Sequence, residues 1–225
     1  MLRLVRPSEE GIRGFLADQQ SLPFSYREVG ATQHGRAGAP HGYPVNHYRV
    51  QLGTGAFTYA RAVKALQSWT MYALWWTRLF PAGAPVSEGV AVCVLAQHFG
   101  VWSLNANRII YVIEERGTVE RYGFAFGTLP GHSEQGEERF TIEWRRADDT
   151  VWYELFAFAK PKHILARVGY PLTRLVQKRF ARDSGEAMRA AVADTPAHEH
   201  SRFARGDALS REEKKDAEVK KGEQV

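Results

Sequence analysis

The feature that most constrains this chain is a series of short apolar segments between residues 89 and 160, each closed by a turn signal. "GVAVCVLAQHFG", "NRIIYVIEER", "ERYGFAFGTL", "ERFTIEWRR" and "VWYELFAFAK" are rich in β-branched and aromatic residues, as strands are. The links between them are Asn105-Ala106-Asn107, Gly117-Thr118, the loop inside "GTLPGHSEQGEERF" (127–140) and Ala147-Asp148-Asp149. Parallel strands need crossovers of a dozen or more residues, so links this short predict an antiparallel meander. Pro161 ends the last strand.

Helical patterns flank the meander. Ser8 is a capping residue, Pro7 precedes it, and Glu9 and Glu10 occupy the first turn of a helix whose stripe is Ile12, Phe15 and Leu16. Residues 30–44, "GATQHGRAGAPHGYP", read as a loop, and "VNHYRVQLG" as a strand. Residues 56–76 then take a helical period through Phe57, Ala60, Val63, Leu66, Thr70 and Leu74. After the meander, Leu165, Val168, Leu172, Leu175, Val176 and Phe180 stripe a long C-terminal helix, with Pro171 expected to kink or divide it. The order predicts an α+β fold in which a curved antiparallel sheet grips this helix. A sheet that curls round a helix without closing on it leaves an apolar cavity, here bounded by Leu172, Leu175 and Val176. One domain is expected over 1–192. The charged segment 193–225, with "SREEKKDAEVKKGEQV", lacks core-forming residues and is expected to be a disordered tail.

Composition narrows the function classes. The formal charge of +5 and pI near 9.4 come from scattered residues, with no basic run or RNA-binding signature, so nucleic acid is not an expected partner. Cys93 is the only cysteine, which excludes an internal disulfide. The N-terminus lacks a signal-peptide pattern, and the apolar stretch 69–80 falls short of the roughly 20 residues of a span. A soluble cytoplasmic protein without stable membrane insertion is expected. No motif calls for a cofactor, and nothing sets an oligomeric state.

Several stretches are similar to a known family: "PFSYREVGAT", "GYPVNHYRVQLG", "LNANRIIYVIEE", "GFAFGTLPGHSEQGEERF", "VWYELFAFAKP" and "LVQKRFARDSGEAM". Over residues 2–192 the chain resembles the bacterial and plant family catalogued as domain of unknown function 1990, also called uncharacterised protein family 0548. That name carries no activity. The element order is also similar to the START and birch-pollen-allergen helix-grip superfamily, whose members bind lipids, sterols and polyketides and in a minority catalyse cyclisation or related chemistry. The resemblance implies binding of a hydrophobic small molecule or lipid in an internal cavity. The alternative it implies is a cyclase-, isomerase- or hydrolase-like enzyme on the same scaffold.

Candidate site residues centre on "GTLPGHSEQGEERF". His132 with Glu134 and Glu138 gives mixed metal ligands, but no helical spacing supports a metal site. His132 and Glu138 form the candidate acid/base pair, since a carboxyl among apolar neighbours has a raised pKa. As a plain hairpin, the loop would gate the cavity rim. Glu138 shares strand parity with Phe140 and Ile142 and is expected to face the cavity, with Glu134 and Glu137 in water. The candidate ligand-binding residues are Tyr26, His47, Arg49, Trp102, Arg108, Tyr111 and Phe140. His47 and Arg49 share one strand face: turned inward they make a polar pocket end, turned outward they are edge residues. Arg108 can anchor a ligand or stack on Trp102. Asn105 and Asn107 read as turn residues, and Arg179 with Asp183 as an ordinary helix pair.

Overall fold

The computed structural model describes residues 2–162 and 170–193, without the side chains of 170–173. The expected tail therefore lies outside the described residues, as do Leu165, Val168 and the side chain of Leu172. The strands are β1 (Leu2–Arg3), β2 (Val45–Thr54), β3 (Thr77–Phe80), β4 (Ala91–His98), β5 (Val101–Glu115), β6 (Val119–Thr128), β7 (Glu134–Arg145) and β8 (Thr150–Pro161). The helices are α1 (Glu9–Gln19), the single turn α2 (Gly35–Gly38), α3 (Gly55–Gln67) and α4 (Tyr170–Ala193). All strands join one antiparallel sheet in the order β2-β8-β7-β6-β5-β4-β3, with β1 paired to β5. The meander is the run β4 to β8, and β2 returns to flank β8. The sheet curves round α4 in the expected helix-grip arrangement. No described helix is long and apolar enough to cross a membrane.

Two expected boundaries move. Asn105-Ala106-Asn107 is not a turn, because β5 runs unbroken through it and pairs with Val92, Cys93 and Val94. The reversal lies at Phe99-Gly100, where both residues take positive φ. The helix expected over 56–76 ends at Gln67, because Trp69 enters the left-handed region at φ 58° and a short 3-10 turn (Thr70–Tyr72) leads into β3. Local motifs hold elsewhere. Ser8 accepts a hydrogen bond from Gly11 N at 3.1 Å and starts α1. The expected kink or division at Pro171 bears on residues 163–169, which lie outside the described residues.

The concave face carries the main core. Trp69, Tyr72, Phe124, Phe126, Phe140 and Tyr153 pack together and meet Phe180 of α4. Ala181, Met188 and Val192 bring the far half of α4 onto this core. Gly185 lets the helix lie directly on the Tyr48 ring, which a Cβ would strike. Buried Ser184 accepts from the Tyr153 hydroxyl at 3.2 Å and donates to Ala181 O at 3.0 Å. Asp183 is more than a helix pair: it accepts from the Trp76 indole at 3.0 Å as well as from Arg179. The convex face has its own small core, in which Ile12 of α1 packs on Cys93, Leu95 and Leu104.

Phe140 is fully buried among these rings. Phe140→Ala should cost about 3–5 kcal/mol through lost burial and a residual cavity. Urea denaturation checks this. A loss below about 1 kcal/mol would place the ring against an open space rather than in the core.

Candidate functional site

β7 sends alternate side chains to opposite faces, and its acids divide accordingly. Glu134, Gly136, Glu138 and Phe140 share the concave side; Glu137, Arg139, Thr141 and Glu143 share the convex side. The expectation that Glu134 and Glu137 face water is corrected on both counts. Glu134 shares the parity of Glu138 and lines the same pocket. Glu137 is 2% exposed, because the chain between Phe24 and Gly38 covers that part of the convex face. Its Oε2 accepts from the Tyr26 hydroxyl at 2.7 Å and Gly30 N at 2.8 Å. Its Oε1 accepts from Thr32 N at 2.9 Å and from the Thr32 hydroxyl.

A pocket of about 520 Å³ opens between the concave face and the first described turns of α4. Val94 and Ala96 of β4, Phe126 of β6, Ala157 of β8, and Val176 and Phe180 of α4 form its sides. Asn105, Asn107, Thr128, His132, Ser133, Glu134 and Glu138 also line it. These polar groups are lateral neighbours. Asn107 pairs with Thr128 across β5 and β6, Thr128 Oγ1 accepts from Gly136 N at 3.0 Å, and Ser133 Oγ donates to Asn105 Oδ1 at 3.1 Å. Gly136 is needed here, since a Cβ would run into the Phe158 carbonyl. Of the residues expected on the pocket, Val176 lines it, whereas Leu175 is 64% exposed.

The polar groups differ in what they leave open. Tyr72 donates to Glu138 Oε2 at 3.2 Å, and Gln177 Nε2 donates to Glu134 Oε1 at 2.7 Å. His132 Nδ1 accepts from Glu134 N at 2.9 Å, which assigns the proton of the neutral ring to Nε2. Asn107 is 1% exposed and its Oδ1 has no partner. Burial raises Glu138 to about 8, with neighbouring Glu134 adding and the Tyr72 bond opposing. Burial likewise raises Glu134 to about 7, against the Gln177 bond and Arg174. Burial lowers His132 to about 3. At neutral pH the pocket therefore holds a neutral imidazole and a protonated Glu138.

The structure brings His132 and Glu138 to one pocket but places most of the other candidates on the convex side. Phe140 lies in the concave core. Arg49 pairs with Glu143 at 2.6 Å and covers Trp152, its carbon Cζ 4.7 Å from the ring. His47 is exposed, 3.6 Å from Glu154. Burial alone would raise Glu143, but bonds from Arg145, Arg121 and Arg49 hold its carboxyl at about 2. Arg108 donates to Gln20 O and Leu22 O at 3.0 and 3.1 Å, fastening the chain after α1. Tyr111 shares a 2.6 Å hydrogen bond with the Thr32 hydroxyl, and Trp102 packs on the α1 core. A register shift between Ile109 and Tyr111 explains why Arg108 and Tyr111, of opposite parity, face the same way. Asn105, Asn107, Tyr72 and Gln177 were missed as pocket residues. The asparagines carried a signal, two polar side chains at strand spacing inside an apolar run. Among the described residues, no three His, Cys, Asp or Glu side chains gather as a metal site requires.

These shifts set opposed pH dependences. The folded protein keeps the Glu138 proton up to about 8, whereas the unfolded chain loses it near 4.5. Its contribution is complete below 4.5 and is lost as pH rises to 8; Glu134 acts alike up to about 7. His132 resists charging, so its contribution is lost as pH falls from 6.5 to 3. Glu138→Gln, which keeps an acceptor for Tyr72, should gain on the parent between pH 5 and pH 8 by on the order of 1–3 kcal/mol. Urea titrations at both pH values test this. A difference that does not change with pH would mean that Glu138 ionises normally.

Comparison with known proteins places the chain. The family model for a domain of unknown function, DUF1990, matches residues 25–187. A UPF0548 protein of Dictyostelium discoideum is 33% identical over 203 residues, 83% of this chain and 94% of that protein. One from Deinococcus radiodurans is 35% identical over 192 residues, 81% of this chain and 94% of that protein. One from Arabidopsis thaliana is 39% identical over 150 residues, 65% and 72% of the two chains. Among solved structures, human STARD10 is similar with a TM-score of 0.45 at 10% identity, over 89% of this chain and 86% of that one. Ara h 8.0201 is similar with a TM-score of 0.43 at 13% identity, over 68% and 100%. Likeness of that depth says nothing about what this chain binds. The family match and the identities above 30% over most of its length show that this chain belongs to the DUF1990 family, also named UPF0548.

Proposed function

We propose that this protein binds a hydrophobic small molecule or lipid in the pocket between the concave face of the sheet and α4. One observation carries the reading: aliphatic and aromatic side chains from β4, β6, β8 and α4 wall the pocket, while a small polar group of β5, β7 and loop residues gathers beside them. A space of a few hundred cubic ångströms with apolar walls and a few convergent polar groups suits a small organic molecule. The apolar walls supply affinity, and the polar groups orient the ligand.

A second reading keeps the same ligand and adds chemistry. Glu138 carries its proton at neutral pH, as a general acid must, and His132 is neutral. On this reading Glu138 donates to a bound oxygen or carbon in a cyclase-, isomerase- or hydrolase-like reaction, and His132 takes the base role by giving up the Glu134 N bond at its Nδ1.

A fluorescent apolar probe tests the first reading. Saturable binding to the folded protein is expected, with displacement by lipid extract. Val176→Trp, which fills the space, should weaken probe binding at least about tenfold with the melting temperature kept. Unsaturable binding, or affinity indifferent to Val176→Trp, would rule out the pocket as the site. The second reading further requires that extracted ligand is returned altered by the parent and unaltered by Glu138→Gln.

A further inference from the structure

We infer that the pocket selects a ligand bearing a basic nitrogen, an amphiphilic amine that is a cation in water, over the matching alcohol or carboxylic acid. The inference rests on the reading that the pocket holds an apolar ligand, and it specifies the polar end of that ligand.

The argument is a count of unused hydrogen-bonding capacity. Glu138 Oε2 is taken by Tyr72, and Oε1 has no partner among the described residues. Glu134 Oε1 is taken by Gln177, and Oε2 is likewise open. Asn107 Oδ1 is buried and unpartnered. Asn107 Oδ1 accepts, and each carboxyl offers only acceptors once it gives up its proton. On the donor side, the Tyr72 hydroxyl is committed to Glu138 and the Nε2–H of His132 is open, while Asn46, His98 and Ser103 also line the pocket. An ammonium group offers three donors and no acceptor, which complements this set.

Charge points the same way. No lysine or arginine is among the described lining residues. The cations nearest this end are occupied elsewhere: Lys162 Nζ donates to Pro130 O at 2.5 Å, and Arg174 donates to Gln177 Oε1 at 3.0 Å. Glu138 meets Tyr72 from the turn before β3, Tyr153 from β8 and Glu134 on its own strand, none of them cationic. A carboxylate or phosphate ligand would enter beside two carboxyls, of which only Glu134 feels a cation, Arg174. An ammonium would meet Glu138, which has no cation beside it, and Glu134, which has only Arg174. Burial holds their protons in place, and no cation beside Glu138 offsets it. A cationic ligand supplies the counter-charge, so Glu138 ionises on binding and releases its proton to solvent.

Titration calorimetry with decylamine, decanol and decanoate at pH 7.5 tests the inference, each below its micelle concentration. Decylamine should bind at least about tenfold more tightly than decanol, and decanoate most weakly. Repeating the decylamine titration in buffers of different ionisation enthalpy should show close to one proton released per amine bound, and none for decanol. Glu138→Gln combined with Glu134→Gln should bring the amine-to-alcohol ratio toward one. Decanoate as tight as decylamine, or amine binding without proton release, would overturn the inference and leave the pocket reading standing. Failure of all three ligands to bind would overturn both.

Discussion

The distance between α4 and the sheet is set at one end of the helix, and the pocket follows from that. Around Gly185 the helix touches the Tyr48 ring, Ser184 is bonded to Tyr153, and Ala181, Met188 and Val192 are buried. Arg189 donates to Gln51 O at 3.0 Å and Arg61 to Ala191 O at 2.9 Å, so β2 and α3 hold the same half from the side. Toward the start of the helix the packed residues become Phe180, Gln177 and Val176, all on the pocket. The helix packs tightly around Gly185 and leaves the pocket beside its earlier described turns. Closing the gap would take larger side chains where Ala96 and Ala157 now stand, and dense interiors accept such additions only where room exists.

β7 shows how one residue type does two jobs in one strand. Glu137 and Glu138 are adjacent, and the pleat puts them on opposite faces. On the convex side Glu137 meets four donors from the chain between Tyr26 and Thr32, all more than 100 residues away in sequence. With four donors on its two oxygens, it fastens the covering segment to the sheet. On the concave side Glu138 receives one hydroxyl and no cation, and stays protonated. The two faces differ in the supply of donors, and that supply comes from other parts of the chain.

The same asymmetry explains what could be read from sequence. The meander, the cap at Ser8 and the inward turn of Glu138 depend on local spacing, and local spacing displays them. Glu134 was legible by the same parity and was set aside because loop acids are usually solvated. Asn105 and Asn107 were read through turn propensity, yet β4 supplies their strand partners and the pocket supplies their polar surroundings. Tyr26, Arg49, Arg108 and Tyr111 were read as ligand anchors because buried or strand-borne polar groups suit that role. Their partners Glu137, Glu143, Gln20, Leu22 and Thr32 come together only in the folded chain. The bulge near Ile110 also reverses the alternation on which a face assignment along β5 depends.

The convex acids and the concave acids thus carry opposite energetic meanings. Glu143, held by three arginines, and Glu137, held by four donors, are satisfied where they stand. Glu134 and Glu138 keep protons at a pH where water would remove them, so the fold is less stable near neutrality than it would be with amides in their place. Asn107 adds a buried acceptor with no donor, a deficit of about 1–3 kcal/mol in its own right. Packing gives no reason for these three to face one space, since an apolar side chain at each position would extend the walls already formed by Val94, Ala96 and Ala157. Destabilising groups that converge on a single opening are accounted for when something that enters the opening satisfies them. Asn107 Oδ1 lacks a donor and Glu138 lacks a counter-charge, and an entrant that supplies both is a donor and a cation.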